Sequence, residues 1–483
     1  MKSPSSLLRK RASAGIIASL VRDFGDRQQL LGNLLIGYII FVFLVGGASR
    51  ADVLSLPLLR TVAVLVCGVA LVTLTRATIR ENRFLLGMAT AMFALAGLHL
   101  LPLPPALWQA LPGREIVMAV DSYAGLGDVW RPLTMAPTAG WNALFALFVP
   151  LAALLLAIQL NRPAQERLIW PLIGVGMASA VLGIFQASGD PNGAAYLYRI
   201  TNNGSAVGLF ANRNHQAFFL LTMFPLLAAW ASWPARSDDV RKLRLFGSAI
   251  AALMVVPLLM VTGSRAGAVL LIPVLFAAMW LYSRPETLTM RKRTKQRDYV
   301  MPVAVVMGLG LLAAVLGLAS RAESVRRLFG AGEGDDERFE SWPVIVDIIG
   351  DYLPFGSGSG SFVETYLLYE PSALIKSTYL NHAHNDWLEV VMTLGLPGAA
   401  LLLVALLAYS LAALRIIRHT DKHRTAGRLG RAGIVIVGLL GLASIPDYPL
   451  RVPSLACLFV VAAVWMRSAL LVRSENTGNG LAD

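Results

Sequence analysis

The chain has 483 residues, 56% of them hydrophobic and only 15% charged, with a formal net charge of +13. That is too apolar for a soluble fold of this length, and the apolar residues stand in blocks rather than in periodic stripes. The positive charge calls for no nucleic-acid partner, because the basic residues gather in short loops between blocks, 284–299 and 413–430 among them. That is the positive-inside pattern of a multi-pass membrane protein.

A helix needs about 20 apolar residues to cross a bilayer. Inside it every backbone polar group must be satisfied within the segment, so the blocks read as helices rather than strands. In chain order the predicted spans are 30–49, 57–75, 84–103, 139–160, 167–187, 213–232, 245–262, 266–283, 300–319, 386–412, 431–446 and 453–472. The first follows a basic N-terminal segment, 1–29, with no small-residue cleavage site behind it, and reads as an uncleaved anchor. The expected organisation is a cytoplasmic segment 1–29, spans one to nine over 30–319, a large loop subdomain over 320–385, spans ten to twelve over 386–472, and a tail over 473–483. Both termini then face the cytoplasm. Cys67 and Cys457 each lie inside an apolar run and read as small buried hydrophobes.

Three external segments stand out: a long one, 104–138, a shorter one, 188–212, and the largest, 320–385. In the last, Phe339 to Ile349 is expected to be helical, with Ser341 as its cap and Pro343 in its first turn. Gly356 to Ser361 alternates glycine and serine. It reads as a flexible connector, against a competing reading as a phosphate cradle of backbone N–H groups. Phe362 to Tyr369 is a further amphipathic stretch.

The unusual polar residues fall on the same outer side. Asn212, Arg213, Asn214 and His215 open the sixth span, and Gly263, Ser264 and Arg265 make the turn before the eighth. His382, His384, Asn385, Asp386 and Glu389 open the tenth, and Asp447 and Arg451 lie in the short turn from Ile445 to Ser454. Arginine grips phosphate oxygens through paired hydrogen bonds, and helix N-termini add positive dipole ends. The bland alternative is that such arginines anchor to lipid headgroups. A neutral imidazole can take a proton from an attacking hydroxyl near neutral pH, which suits His384. Its alternatives are an interfacial histidine without chemistry, or a metal site with His382 and Asp386 or Glu389. Against the metal, there is no H-E-x-x-H, and two histidines two residues apart cannot share a helix face. Asp447 and Arg451, four apart, read as an ion pair with each other.

These motifs together resemble the O-antigen ligase and polymerase superfamily of bacterial membrane glycosyltransferases. The resemblance rests on Phe210-Ala-Asn-Arg-Asn-His215, on Gly263-Ser-Arg-Ala-Gly267, and on Arg338-Phe-x-x-Trp342 followed by Gly356-x-Gly358. Its strongest part is His384-Asn385 with Leu388-Glu389 and Gly395-x-x-Gly398. It covers about residues 200–400 and implies an all-α, GT-C-like polytopic fold of about twelve transmembrane helices with one large periplasmic loop subdomain. It also implies a metal-independent, inverting transferase without cofactors in the bacterial inner membrane. The donor would be a glycan on undecaprenyl diphosphate, and the acceptor lipid A-core or a lipid-linked glycan. By motif position Arg213 and Arg265 correspond to the diphosphate-binding arginines and His384 to the histidine that activates the acceptor hydroxyl. Arg338 matches a recurrent arginine without an assigned role. His215, His382, Asn385, Asp447 and Arg451 are supporting candidates, and His382 leaves open which imidazole is the base. Ligase is the first reading and polymerase the second. A transporter or flippase is the reading outside the enzyme class, and it sits poorly with helix centres almost free of ionisable residues.

Overall fold

The computed structural model describes residues 27–285, 333–375 and 379–478. The predicted span 300–319 lies outside them, as do nearly all of segment 1–29 and residues 320–332. The first spans are α1 (Arg27–Val45), α2 (Leu56–Thr73), the shorter α3 (Arg83–Leu98) and, after an excursion containing α4 (Glu115–Ala124), α5 (Pro137–Ala157). Then come α6 (Arg162–Ser188), α7 (Arg213–Ala231), α8 (Asp238–Val261) and α9 (Arg265–Leu281). Outside the spans lie α10 (Glu333–Tyr352) and α11 (Phe362–Tyr369), followed by α12 (Asp386–His419), α13 (Thr425–Ala443) and α14 (Pro453–Gly478). Eight of the described helices are long and apolar enough to cross a membrane. The strand content of the described residues is one antiparallel pair, β1 (Pro102–Leu103) with β2 (Arg131–Pro132). The chain is an all-α polytopic membrane protein.

The main core is formed by α1, α2, α5, α7, α13 and α14, and α7 is buried on nearly every face. A helix apolar all round belongs at the centre of its bundle, and α7 carries its polar residues to one end of it. Asn212 caps that end, its side chain accepting from the Asn214 N–H at 2.8 Å. The preceding loop is pinned to the spans by polar groups: Gln186 accepts from the Gly208 N–H at 2.6 Å, and the Ser179 hydroxyl accepts from the Leu209 N–H at 3.0 Å while donating to Gln216 at 2.6 Å.

A second, smaller core joins α10, α11 and the start of α12 through Ile345, Ile348, Tyr352, Phe362, Tyr366, Ala383 and Met392. Two local expectations change here. Helix α10 begins at Glu333, so Ser341 lies inside it rather than at its cap. The glycine–serine run is neither flexible nor a cradle. Ser357, Ser359 and Ser361 are buried, and the Ser357, Gly358 and Ser359 N–H groups are taken by Met392 O, Thr393 O and His99 Nδ1 at 2.9–3.0 Å. That pairing is available because α12 breaks at Gly395, where φ is +61°. Only glycine adopts that conformation at little cost. The freed Leu396 N–H goes to Pro354 O at 2.9 Å. The predicted span 386–412 is therefore two helical pieces: a short one that carries polar residues, and the long apolar one below it.

Candidate active site

Alternation of the spans brings the starts of α7, α9, α12 and α14 to one end of the bundle, with the turn 444–452 between α13 and α14. Asp447 stands at the centre of this turn and is fully buried. Its Oδ2 accepts from Asn214 Nδ2 at 2.6 Å and its Oδ1 from the Tyr448 N–H at 2.9 Å. Two imidazoles face the same Oδ1: His384 Nδ1 at 3.4 Å and His215 Nε2 at 3.6 Å. Burial opposes ionisation of Asp447, but the two imidazoles beside its Oδ1 outweigh it and hold the carboxyl well below the usual carboxylate range. Asp447 and Arg451 do not pair with each other, contrary to the sequence reading.

Arg451 turns the other way. Its Nε reaches Asp386 Oδ1 at 2.8 Å and its Nη1 reaches Glu389 Oε1 at 3.1 Å, joining the 444–452 turn to the first turn of α12. Burial works against its charge, and the Glu389 and Asp386 carboxylates more than restore it. Glu389 also takes the Ala383 N–H at 2.9 Å and His382 Nδ1 at 3.0 Å. Ser444 completes the joint: its hydroxyl bonds Asp386 Oδ2 at 3.2 Å and its carbonyl takes the Asp386 N–H at 2.9 Å. The Tyr448 ring lies among all three imidazoles, with centroids 4.5 Å from His382, 4.8 Å from His384 and 5.0 Å from His215.

Access separates the histidines. The side chain of His215 is 2% exposed, against 10% for His384 and 16% for His382. His384 is also held at φ +47°, a left-handed conformation that no other non-glycine residue adopts among the described residues. That conformation costs a residue with a Cβ about 1–2 kcal/mol, and here it turns the imidazole toward Asp447. Asn385 acts as a cap, its side chain accepting from the Leu388 N–H at 3.1 Å, and so anchors the start of α12 between His384 and Asp386.

Arg213 and Arg265 are the first residues of α7 and α9, both half-buried. The two helices touch one turn in, where a Cβ built on Gly267 would stand 2.7 Å from the Ala217 Cβ. The Gly263-Ser-Arg-Ala-Gly267 motif thus has a physical reading. Gly263 supplies a left-handed turn at φ +66°, Ser264 caps α9 by accepting from the Gly267 N–H at 3.0 Å, and Gly267 admits α7. Both arginines open at the end that holds Asp447, since Asn214 and His215 follow Arg213 directly. The Arg338 backbone lies in α10; its side chain is outside the described residues. Among the described residues no group of three or more His, Cys, Asp or Glu side chains could hold a metal ion.

Tyr448 and Ser444 are not marked by the sequence, and Asn214 is marked only as one of the polar residues that open the sixth span. The available signal was the turn itself. Pro446, Pro449 and Pro453 exclude a continuous α-helix there, leaving only a 3-10 turn over Pro449–Arg451, so the spacing of Asp447 and Arg451 gave no ground for pairing them.

Fold and site together define a polytopic helical membrane protein with an acid–imidazole pair beside two arginine-headed helices. Residues 249–403 match the family model described as O-antigen ligase. This supports membership of the O-antigen ligase and polymerase superfamily, and with it a glycosyltransferase-like membrane enzyme of polysaccharide biosynthesis. The match spans Arg265, His382, His384, Asn385, Asp386 and Glu389, and stops short of Arg213, His215, Asp447 and Arg451. A comparison with curated proteins gives no match.

Proposed function

We propose that the protein transfers a glycan from undecaprenyl diphosphate to an acceptor sugar hydroxyl at the periplasmic face of the inner membrane, with both termini cytoplasmic. The observation that carries the reading is His384 Nδ1 at 3.4 Å from Asp447, a buried carboxylate that also faces the less exposed His215 at 3.6 Å and is otherwise held only by the neutral Asn214 amide and Tyr448 N–H. A carboxylate on Nδ1 fixes the tautomer that leaves Nε2 as the acceptor of a proton, and it stabilises the imidazolium that results.

The chemistry follows from the parts. His384 Nε2 takes the proton of the acceptor hydroxyl as its oxygen attacks the anomeric carbon. The bond from that carbon to the diphosphate oxygen breaks on the opposite face, so configuration inverts. Charge developing on the departing diphosphate falls to Arg213 and Arg265 and to the N-terminal ends of α7 and α9. Fixed cations and dipoles placed before reaction stabilise such charge without reorganisation. The donor carries its own driving force, so no nucleotide is required outside the cytoplasm. Lipid A-core is the preferred acceptor, which makes the protein a ligase; a second lipid-linked glycan would make it a polymerase.

The test is reconstituted transfer from a lipid-linked glycan donor to each acceptor in turn. His384→Ala is expected to lower the rate by about 10²–10⁴-fold, the usual contribution of a general base, while His382→Ala retains most of it. Full activity in His384→Ala would refute base catalysis by this residue. Transfer to neither acceptor by the intact protein would sink the reading as a whole.

A further inference from the structure

The excursion between α3 and α5 has a surface at odds with its place outside the spans. Helix α3 has 16 residues, about 24 Å at 1.5 Å per residue, against a hydrocarbon core of about 30 Å. The chain leaves α3 through β1, paired with β2 by Pro102 to Pro132 and Leu103 to Arg131. The residues standing on that pair expose large apolar side chains: Leu107, Ile116, Val120, Tyr123, Leu126 and Trp130, with Tyr123 95% exposed. Ile116, Val120 and Tyr123 share one face of α4, at spacings of four and three.

The charges of the same segment are turned inward. Asp121 is 2% exposed and bound by Arg131, with Nε to Oδ2 at 2.6 Å. Arg114 is 3% exposed, donates to Leu133 O at 2.6 Å and lies 5.4 Å over the Tyr352 ring. Between 104 and 130 only Glu115 and Asp128 remain as exposed charges. An extramembrane helix in water has the opposite distribution. The apolar face is also continuous with the bilayer-facing surface of α3, through exposed Leu98 and Leu101.

We propose that residues 104–130 form a collar seated in the lipid leaflet at the site end, with acyl chains as the partner of the α4 face. The collar completes the hydrophobic thickness that α3 leaves short. It is tied to the candidate site through a chain of contacts. The Met135 N–H donates to Ser357 O, and Ser357 and Gly358 in turn bond Met392 and Thr393 at the α12 break. Lipid packing around the collar thereby bears on the helix start that carries His384. The collar stands independently of the glycosyl-transfer reading.

The test uses the full chain in lipid nanodiscs with Cys67 and Cys457 replaced by alanine. Single cysteines at Val120, Tyr123, Asp128 and, as a lipid-facing control, Val69 carry a nitroxide. Collision rates with oxygen, which partitions into lipid, and with a water-soluble nickel chelate report the surroundings. Val120 and Tyr123 are expected to match Val69, with an oxygen-to-nickel ratio several-fold above that at Asp128. Nickel access at Val120 and Tyr123 equal to that at Asp128 would overturn the proposal. Shielding from both reagents would overturn it as well, since a protein partner would then cover the face. All labelled side chains lie on the outer surface of the chain, so labelling leaves the fold intact, and a failed transfer assay has no bearing on the result.

Discussion

Two acid–imidazole pairs lie on either side of Tyr448, and they differ in what else holds the acid. Glu389 faces His382, but it is also bound by the Arg451 guanidinium, which it shares with Asp386, so part of its charge is already committed to a fixed cation. Asp447 faces His384 and His215 with only neutral donors besides, so its charge is available to an imidazole that gains a proton. The first arrangement ties the 444–452 turn to α12. The second can support proton transfer. The comparison points to His384 rather than His382 as the base, which motif spacing alone left open.

The largest effect expected from this contrast is at Asp447. Asp447→Asn keeps the acceptor for the Tyr448 N–H but removes the charge and sets an amide NH2 against Asn214 Nδ2, so transfer is expected to fall by about 10²–10⁴-fold with a stability loss of about 1–3 kcal/mol. Equal loss from Glu389→Gln, with both proteins folded, would break the distinction between the pairs. Arg451→Met should do the reverse. It leaves Asp386 and Glu389 buried without their cation, which costs about 3–5 kcal/mol, read as a lower unfolding midpoint. Replacing all three by apolar residues of similar size is expected to recover much of that stability, because the desolvation penalty disappears with the charges. A smaller loss is expected from Ser444→Ala, which removes one hydrogen bond to Asp386: about 1 kcal/mol of stability, with transfer unchanged. Impaired transfer in that variant would move the Arg451 cluster from scaffold to chemistry.

Much of this architecture was legible beforehand. Apolar runs announce membrane helices because hydrocarbon tolerates no unpaired backbone, and counting spans put Arg213, Arg265, His384 and Asp447 at one end. Pairing was harder to read. The partners of Asp447 come from positions 214, 215 and 384, and no local rule reports contacts across such separations. The spacing rule that suggested Asp447 with Arg451 holds on a helix and not in a proline-punctuated turn. The glycine–serine run has the composition of a linker, and only its distant partners, Met392, Thr393 and His99, make it a buried seam. Gly395 and Pro397 did mark the break in α12, but the apolar run continues through them and hides it.

A fourth imidazole sharpens the contrast by having no acid at all. His99, at the end of α3, is 3% exposed and accepts the Ser359 N–H on Nδ1 at 3.0 Å. Burial, helped by the nearby Arg114 charge, lowers its pKa from 6.5 to about 4. Above pH 6.5 neither the folded nor the unfolded imidazole carries a proton. Between 6.5 and 4 the unfolded form takes one up and the folded form does not, so the seam loses stability as pH falls through that window. Near pH 4 the proton reaches Nδ1 and the Ser359 N–H loses its acceptor. Hydrogen exchange at the Ser359 amide, corrected for the intrinsic rate, should therefore lose protection from pH 6.5 downward. In His99→Ala the protection is low at every pH. A flat, protected profile in the unaltered protein would mean that protonation of His99 is not linked to the stability of this seam. The contrast between matched and unmatched acids around Tyr448 would then lose its reference.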